Sequence, residues 1–157
     1  MRYLFISYRW ESDEHIAWVG AFAAGLRSRG YPVVLDRLFM EDATLPGSFE
    51  QLLNLFGHLS RATHFVPILT EAYSRRLIEG KRGSSESQER WEDGWVYDEW
   101  TIAVNASIAG QIELDGIWRS GEKLPRPFTS ANVCDFRGDE LECGGGPPNG
   151  TGGLTEA

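Results

Sequence analysis

Hydrophobic residues fall into two alternating patterns along this chain. Three short, nearly continuous apolar runs, at residues 3–8, 31–36 and 63–69, are typical of strands that a parallel sheet buries on both faces. Between the first two runs, apolar residues recur every three or four positions, which predicts an amphipathic helix with Ser12 as its N-cap. Gly30 then follows, as is usual where a helix ends. The order strand, helix, strand predicts a right-handed parallel crossover.

The alternation of strands and helices continues to about residue 136. A capping box at residues 48–51 predicts a helix whose apolar face includes Phe56 and Leu59. Pro67 interrupts the third apolar run, and because proline has no N–H we expect a local break or bulge there. Further helices are predicted at 71–77 and from Gly94 to about Ala109, further strands at 112–118 and 133–136, and polar loops at 37–47 and 79–93.

This pattern predicts an α/β fold built on an open, doubly wound parallel sheet. Ligands of such sheets bind outside the carboxyl ends of the strands, where the strand order reverses. The residues at those ends are mostly polar or basic: Ser7, Tyr8 and Arg9 after the first strand, Asp36 and Arg37 after the second, and Leu69 and Thr70 after the third.

One acid, Glu99, lies within an apolar helical stripe. Val96, Glu99, Trp100 and Ala103 recur at three and four positions, so they share one face of the predicted helix. Partial burial raises the pKa of a carboxyl group, and such a group in a cleft is a candidate for chemistry. Taken alone, the segment is explained more simply by a structural carboxylate at a helix edge.

Length, charge and composition exclude several classes of function. The 157 residues suit one domain, and a net charge of −8 argues against nonspecific binding of nucleic acid and against an anionic membrane surface. Cys134 and Cys143 have no metal-ligand spacing, and no apolar run is long enough to span a bilayer, so we expect a cytoplasmic protein. From residue 138 the chain is rich in glycine and proline. We therefore predict a folded domain at 1–137 and a disordered tail or linker at 138–157.

Several motifs occur in a fixed order within this frame: FISYR at 5–9, HFVPILT at 64–70, W-x-x-x-E from Trp95 to Glu99, and VCDFR at 133–137. Together they resemble a TIR (Toll/interleukin-1 receptor) domain of bacterial type, and FISYR and W-x-x-x-E are similar to those of the TIR enzymes that cleave NAD. The resemblance implies a flavodoxin-like open parallel sheet of five strands, in the order 2-1-3-4-5, with helices on both faces.

The resemblance also implies roles for individual residues. Glu99 stands at the position of the family's catalytic glutamate, and Trp95 would stack on a ring of the nucleotide. The loop at 37–47 corresponds to the family's BB loop, which serves assembly and gates the pocket. The other residues expected to contact NAD are Ser7, Tyr8, Arg9, Trp10, Asp36, Arg37 and Phe39. For Asp36 a capping role in its own loop stays open, and for Trp10 and Phe39 a contact between chains does.

Cleavage of NAD between nicotinamide and ribose needs only one acidic residue. Nicotinamide leaves NAD as a neutral pyridine and needs no proton, so one carboxylate is enough to stabilise the oxocarbenium-like ribose. No G-x-G-x-x-G motif is present, and the three histidines, at 15, 58 and 64, have no ligand spacing. We therefore expect no metal, and no cofactor beyond NAD⁺ as substrate.

The sequence thus predicts an NAD⁺ glycohydrolase or cyclase that releases nicotinamide plus ADP-ribose or a cyclic product, in immunity such as antiphage defence or in cell death. We expect self-association through the 37–47 loop, and further domains or a partner after residue 157. The alternative is a noncatalytic adaptor that acts by TIR–TIR contacts. A phosphoryl-receiver domain is set aside, because Arg9 and Thr70 occupy positions where it needs acids.

Overall fold

The computed structural model of this chain describes residues 3–35, 56–79, 96–128, 132–137 and 142–143. Four of the predicted site residues, Asp36, Arg37, Phe39 and Trp95, lie outside these ranges, as do the 37–47 loop and the capping box at 48–51. No helix in the described ranges is both long and apolar enough to cross a membrane.

The described strands form one sheet. In chain order they are β1 (Tyr3–Ser7), β2 (Val33–Leu35), β3 (Ala62–Leu69), β4 (Glu113–Leu114), β5 (Gly116–Trp118), β6 (Val133–Asp135) and β7 (Glu142–Cys143). Their spatial order is β2-β1-β3-β5-β6-β7, and β4 pairs with β3 beside β5. All the pairings are parallel except that of β6 with β7. Since β4 and β5 together replace the predicted fourth strand and β6 is the predicted fifth, the expected order 2-1-3-4-5 is confirmed.

Helices cover both faces of the sheet, as the alternation predicted. They are α1 (Asp13–Ser28), α2 (Glu71–Glu79) and α3 (Val96–Ile108), and a helical turn is present at 56–59. Successive side chains of a strand point to opposite faces. Ile6 therefore packs in one buried cluster with Val19 and Ala23 of α1, whereas Phe5 packs in another with Ala103 of α3.

Both ends of α1 and the C-terminal end of α3 agree with the sequence prediction. Ser12 caps α1, and its side chain accepts a hydrogen bond from the backbone N–H of His15 at 3.1 Å. Gly30 and Gly110 follow α1 and α3 with φ of +85° and +70°, a backbone conformation that residues with a Cβ rarely adopt. Glycine is therefore favoured at both positions, where the chain turns away from the end of a helix.

Pro67 does not break the sheet in the expected way. Its strand pairs with β1 in continuous register, including the pair Ser7 and Pro67, and the one register shift of this ladder lies between Tyr3 and Leu4. On the other side, β3 pairs with β4 as far as Phe65 and with β5 from Ile68. Pro67 lies between these two ladders, so on that side no pairing requires an N–H from it.

Two other elements differ from prediction. Glu142–Cys143 forms the short antiparallel strand β7 inside the segment predicted to be disordered, because it can add backbone hydrogen bonds to the edge strand β6. For these two residues the prediction was wrong. Phe56, expected on an apolar helix face, is 46% exposed, whereas Leu59 of the same turn is buried.

Candidate active site

The candidate site lies at the carboxyl ends of β1 and β3, where α2 and α3 begin. Ser7 is the last residue of β1, and Tyr73 lies in the first turn of α2, which follows β3 after Thr70. Glu99 is in the first turn of α3, where a carboxylate is favoured by the helix dipole. Ser7 shares the sheet face of Phe5, the face that α3 covers, so its side chain is directed towards Glu99.

Glu99 is buried and held by a chain of hydroxyl groups. Its side chain is 1% exposed, and Oε2 accepts a hydrogen bond of 2.5 Å from Oγ of Ser7. The Tyr73 hydroxyl lies 3.0 Å from the same Oγ. Because Ser7 has a single hydroxyl proton and donates it to Glu99, the Tyr73 hydroxyl donates to Ser7. Ser7 and Tyr73 are both fully buried, so this chain is shielded from water.

A second hydrogen-bonded link joins the loop after β1 to the start of α2. The Thr70 hydroxyl donates to Oε1 of Glu11 and accepts from the backbone N–H of Tyr73 at 3.0 Å. Thr70 therefore acts as the N-cap of α2, since it satisfies an N–H that has no partner inside the helix. The same contact fixes the turn that carries Tyr73, and so the position of its hydroxyl beside Ser7.

This arrangement suits one kind of chemistry once a substrate can reach Glu99. A carboxylate held by a short hydrogen bond in a buried site keeps a fixed orientation and can stabilise a positive charge that develops in front of it. Electrostatic stabilisation is stronger in such a site than in water, because the surroundings are less polar and already oriented. The acid lies at the sheet edge where ligands of open α/β folds bind.

Comparison with known protein families assigns this chain to one of them. The model of the TIR domain family matches residues 4–143, which is most of the chain. The chain belongs to the TIR domain family. The match begins at Leu4 within β1 and ends at Cys143, the last residue of β7, so it includes every residue of the candidate site.

Solved structures agree with the fold of this TIR domain. The TIR domain of the Toll-related receptor TRR-2 from Hydra magnipapillata superposes with a TM-score of 0.52 at 12% identity, over 87% of this chain and 85% of that one. A 2-deoxyribosyltransferase from Bacillus psychrosaccharolyticus superposes with a TM-score of 0.56 at 16% identity, over the same shares. At these identities the likeness concerns the fold alone. No curated protein sequence is significantly similar to the chain.

The TIR domain brings two of the predicted site residues together and separates others. Ser7 and Glu99 are in direct contact. Tyr8 follows Ser7 on the opposite face of the sheet, where it is buried in the cluster under α1, and Trp10 packs against that cluster. Arg9, between them, is partly buried. Their contacts with NAD therefore stay predictions, as do those of Asp36, Arg37, Phe39 and Trp95.

The sequence prediction did not include Tyr73 or Glu11, and it placed Thr70 at the ligand-binding end of the sheet without naming it as a site residue. A signal was present for Tyr73 and Thr70, because Thr70 precedes an acid at the start of a predicted helix, which is typical of an N-cap, and Tyr73 lies three residues later in the same turn. No local pattern marks Glu11, whose partner lies 59 positions away in sequence.

His15 of α1 is a half-buried histidine near Tyr8 and Glu11 of the loop that follows β1. Its ring lies 6.2 Å from that of Tyr8, and no group in the described part of the chain hydrogen-bonds its Nε2. Burial lowers the pKa of His15, the nearby Glu11 acts in the opposite direction, and Arg119 adds to the lowering. The neutral imidazole is therefore favoured in the folded protein.

Proposed function

We propose that this TIR domain cleaves NAD⁺ at the bond between nicotinamide and ribose, with Glu99 as the catalytic residue. The observation that supports the proposal most is the contact of Glu99 with Ser7 at the carboxyl end of β1, in a site shielded from water. The acid predicted from W-x-x-x-E lies at the edge of the sheet where open α/β folds bind their ligands.

In the proposed reaction the bond from ribose C1′ to the pyridinium nitrogen breaks, and its electron pair goes to nicotinamide, which leaves neutral. The ribose ring acquires oxocarbenium character, and the Glu99 carboxylate stabilises that charge. Attack by water gives ADP-ribose and releases one proton. Attack by an adenine nitrogen gives a cyclic product instead.

Ser7 and Tyr73 are the proposed positioning residues. Their hydroxyl groups form the chain that ends at Oε2 of Glu99, and both residues are fully buried. Such a chain holds the carboxylate in one orientation before substrate arrives, which is the condition for electrostatic catalysis. The 2-deoxyribosyltransferase with a similar fold is described as a biocatalyst for nucleoside synthesis, so this architecture also carries a transferase that acts on a sugar.

Binding of NAD⁺ requires a local rearrangement, since only 1% of the Glu99 side chain is exposed. TIR domains generally self-associate, and we propose that assembly through the 37–47 loop opens the site. In that arrangement Arg9 and Arg37 would bind the pyrophosphate through paired hydrogen bonds, and Trp95 would stack on a ring. Tyr8, Trp10, Asp36 and Phe39 complete the proposed NAD contacts.

The direct test is nicotinamide release by concentrated wild-type protein and by Glu99→Gln, which keeps the size of the side chain. We expect a loss of at least about 100-fold in Glu99→Gln, the scale seen when one electrostatic contact to a transition state is removed. Asp98→Asn is the matched control, because Asp98 precedes Glu99 in the same helical turn and is only partly buried. Equal release by Glu99→Gln and wild type would remove the catalytic role.

The alternative function is a noncatalytic adaptor, and the same burial of Glu99 favours it. An acid bonded to Ser7 inside the protein can be a purely structural group that ties α3 to β1. An adaptor predicts no NAD turnover at any protein concentration, together with TIR–TIR binding that Glu99→Gln leaves unchanged. Measuring self-association and nicotinamide release on the same samples separates the two functions.

A further inference from the structure

Three side chains of the types that can bind a metal lie together at the end of the sheet opposite to Glu99. His64 lies near the start of β3 and pairs with Glu113 of β4, and Asp115 follows β4 directly. Their ligand atoms all lie within 4.8 Å of one another. His64 is about 16 Å along the strand from Leu69, so this cluster is separate from the candidate active site.

The nitrogen–oxygen distances within the cluster are longer than those of charge-assisted hydrogen bonds. Nε2 of His64 lies 3.4 Å from Oε2 of Glu113 and 3.7 Å from Oδ2 of Asp115, whereas a charge-assisted N–H···O bond measures about 2.7–2.9 Å. Ligand atoms around one tetrahedral Zn²⁺ ion lie about 3.3–3.6 Å apart, given bonds of about 2.0–2.2 Å. The observed separations are therefore closer to those of neighbouring ligands than to those of a donor and its acceptor.

The orientation of the His64 ring follows from its other nitrogen. Nδ1 lies 3.0 Å from Oγ1 of Thr63, and Oγ1 donates its one proton to the carbonyl of Tyr3 at 3.2 Å. The Thr63 hydroxyl can therefore only accept a hydrogen bond from His64, so the ring proton is on Nδ1. In neutral His64 the lone pair is then on Nε2 and faces the two carboxylates. Three acceptors converge at this point, an arrangement that a cation stabilises.

We propose that His64, Glu113 and Asp115 bind one Zn²⁺ ion. The two carboxylates balance the charge of the ion, and the hydrogen bond from Nδ1 to Thr63 fixes the ring as outer-shell partners do in zinc sites. All three side chains are accessible to solvent and line a cavity of about 780 Å³, together with Gln111 and Asn132. Three protein ligands leave one tetrahedral position for water or a small anion from this cavity.

Zinc fits these donors better than magnesium or calcium does. Mg²⁺ and Ca²⁺ take oxygen ligands almost exclusively, and Mg²⁺ keeps most of its water, whereas an imidazole nitrogen suits Zn²⁺. The competing explanation is a proton on Nε2, which would make the cluster an ion pair of His64 with two acids. Titration with the two metals distinguishes these cases.

The test is calorimetric titration of the whole chain, freed of metal by a chelator, with ZnCl₂ and separately with MgCl₂. We expect saturable binding of one Zn²⁺ per chain and much weaker binding of Mg²⁺. His64→Gln, Glu113→Gln and Asp115→Asn should each weaken Zn²⁺ binding by at least about tenfold, since even outer-shell changes cost that much. Glu122→Gln, an exposed acid in the loop after β5, should bind as the wild type does.

A second measurement guards against variants that fold poorly. At a Zn²⁺ concentration a hundredfold above the wild-type Kd, the unfolding midpoint of the wild type should rise by about 5–10 °C, and that of the three variants should rise by about half as much or less. The proposal is overturned if Zn²⁺ does not bind saturably, if His64→Gln binds it as tightly as the wild type does, or if Mg²⁺ binds equally well. The first result would leave the cluster as an ion pair only, the second would place bound Zn²⁺ away from His64, and the third would make the cluster an unselective site for divalent cations.

Discussion

Ser7 shows how much one small side chain contributes to this site. It ends β1, pairs with Pro67 of β3, and donates its hydroxyl proton to Glu99 while it accepts from Tyr73. The Oγ atom of Ser7 therefore links β1 to α2 and to α3. Removing a donor to a buried acid costs free energy, because water cannot replace the lost hydrogen bond there. Tyr73, Ser7 and Glu99 therefore form one hydrogen-bonded group, in which a change at one residue affects the other two.

We predict that Ser7→Ala lowers the free energy of unfolding by about 1–3 kcal/mol, because it removes a donor from a buried acid. Tyr73→Phe keeps the ring in its buried cluster and removes only the hydroxyl, so its loss should be about 1 kcal/mol. Denaturant unfolding of both variants and of the double variant measures the coupling. A double variant whose loss equals the sum of the two single losses would contradict the hydroxyl chain.

At the scale of elements, α3 illustrates what a local pattern predicts well. The stripe Val96, Glu99 and Ala103 was inferred from spacing at three and four positions, and all three side chains are buried. Both ends of α1 and the C-terminal end of α3 were predicted equally well, because caps and glycines act within a few residues. The division of the predicted fourth strand into β4 and β5 was not predicted, since it depends on which part of β3 each segment meets.

Gly116 of β5 provides a prediction at this scale. A Cβ on Gly116 would lie 2.9 Å from Cδ1 of Leu69 and 3.0 Å from Cγ2 of Val133, which is too close without a shift of both. Gly116→Ala should therefore lower the free energy of unfolding by about 1–3 kcal/mol, as overpacking of a core does. Denaturant unfolding curves measure this loss.

Gly20 within α1 is the matched control for Gly116. An added Cβ there has no neighbour within 4 Å, and alanine is the better helix former, so Gly20→Ala should raise the free energy of unfolding by up to about 1 kcal/mol. If both substitutions gave a change of the same sign, close packing around Gly116 would not explain the need for glycine there.

At the scale of the whole molecule, burial of Glu99 connects the proposed activity to assembly. The acid is almost completely covered, and the proposed opening depends on contacts between chains. A site that opens only on association has an activity that follows the fraction of associated chains. The concentration of the protein itself then controls the reaction by mass action.

We therefore predict that the nicotinamide released per chain falls as the protein is diluted. Well below the dissociation constant of the assembly, a tenfold dilution should lower the activity per chain by about tenfold if a dimer is the active form. Activity assays over a dilution series, with light scattering on the same samples, measure this. A constant activity per chain across a range in which the assembly dissociates would show that single domains are active.

The sequence by itself determined the parts of this protein that depend on neighbouring residues. The apolar runs predicted the strands, the period of three and four predicted the helices and the buried face that carries Glu99, and the ordered motifs indicated the family. The strands and helices follow from backbone geometry and local hydrogen bonding, which act over a few residues, whereas the family was indicated by resemblance alone.

Tertiary structure alone decided which distant side chains meet. Ser7 and Glu99 are 92 positions apart in sequence, and the contact exists because β1 and the start of α3 reach the same edge of the sheet. The spacing of the histidines predicted no metal ligand, whereas the pairing of β3 with β4 places His64 beside Glu113 and Asp115. Contacts of this kind depend on how the sheet is assembled, and no local pattern in the chain encodes them.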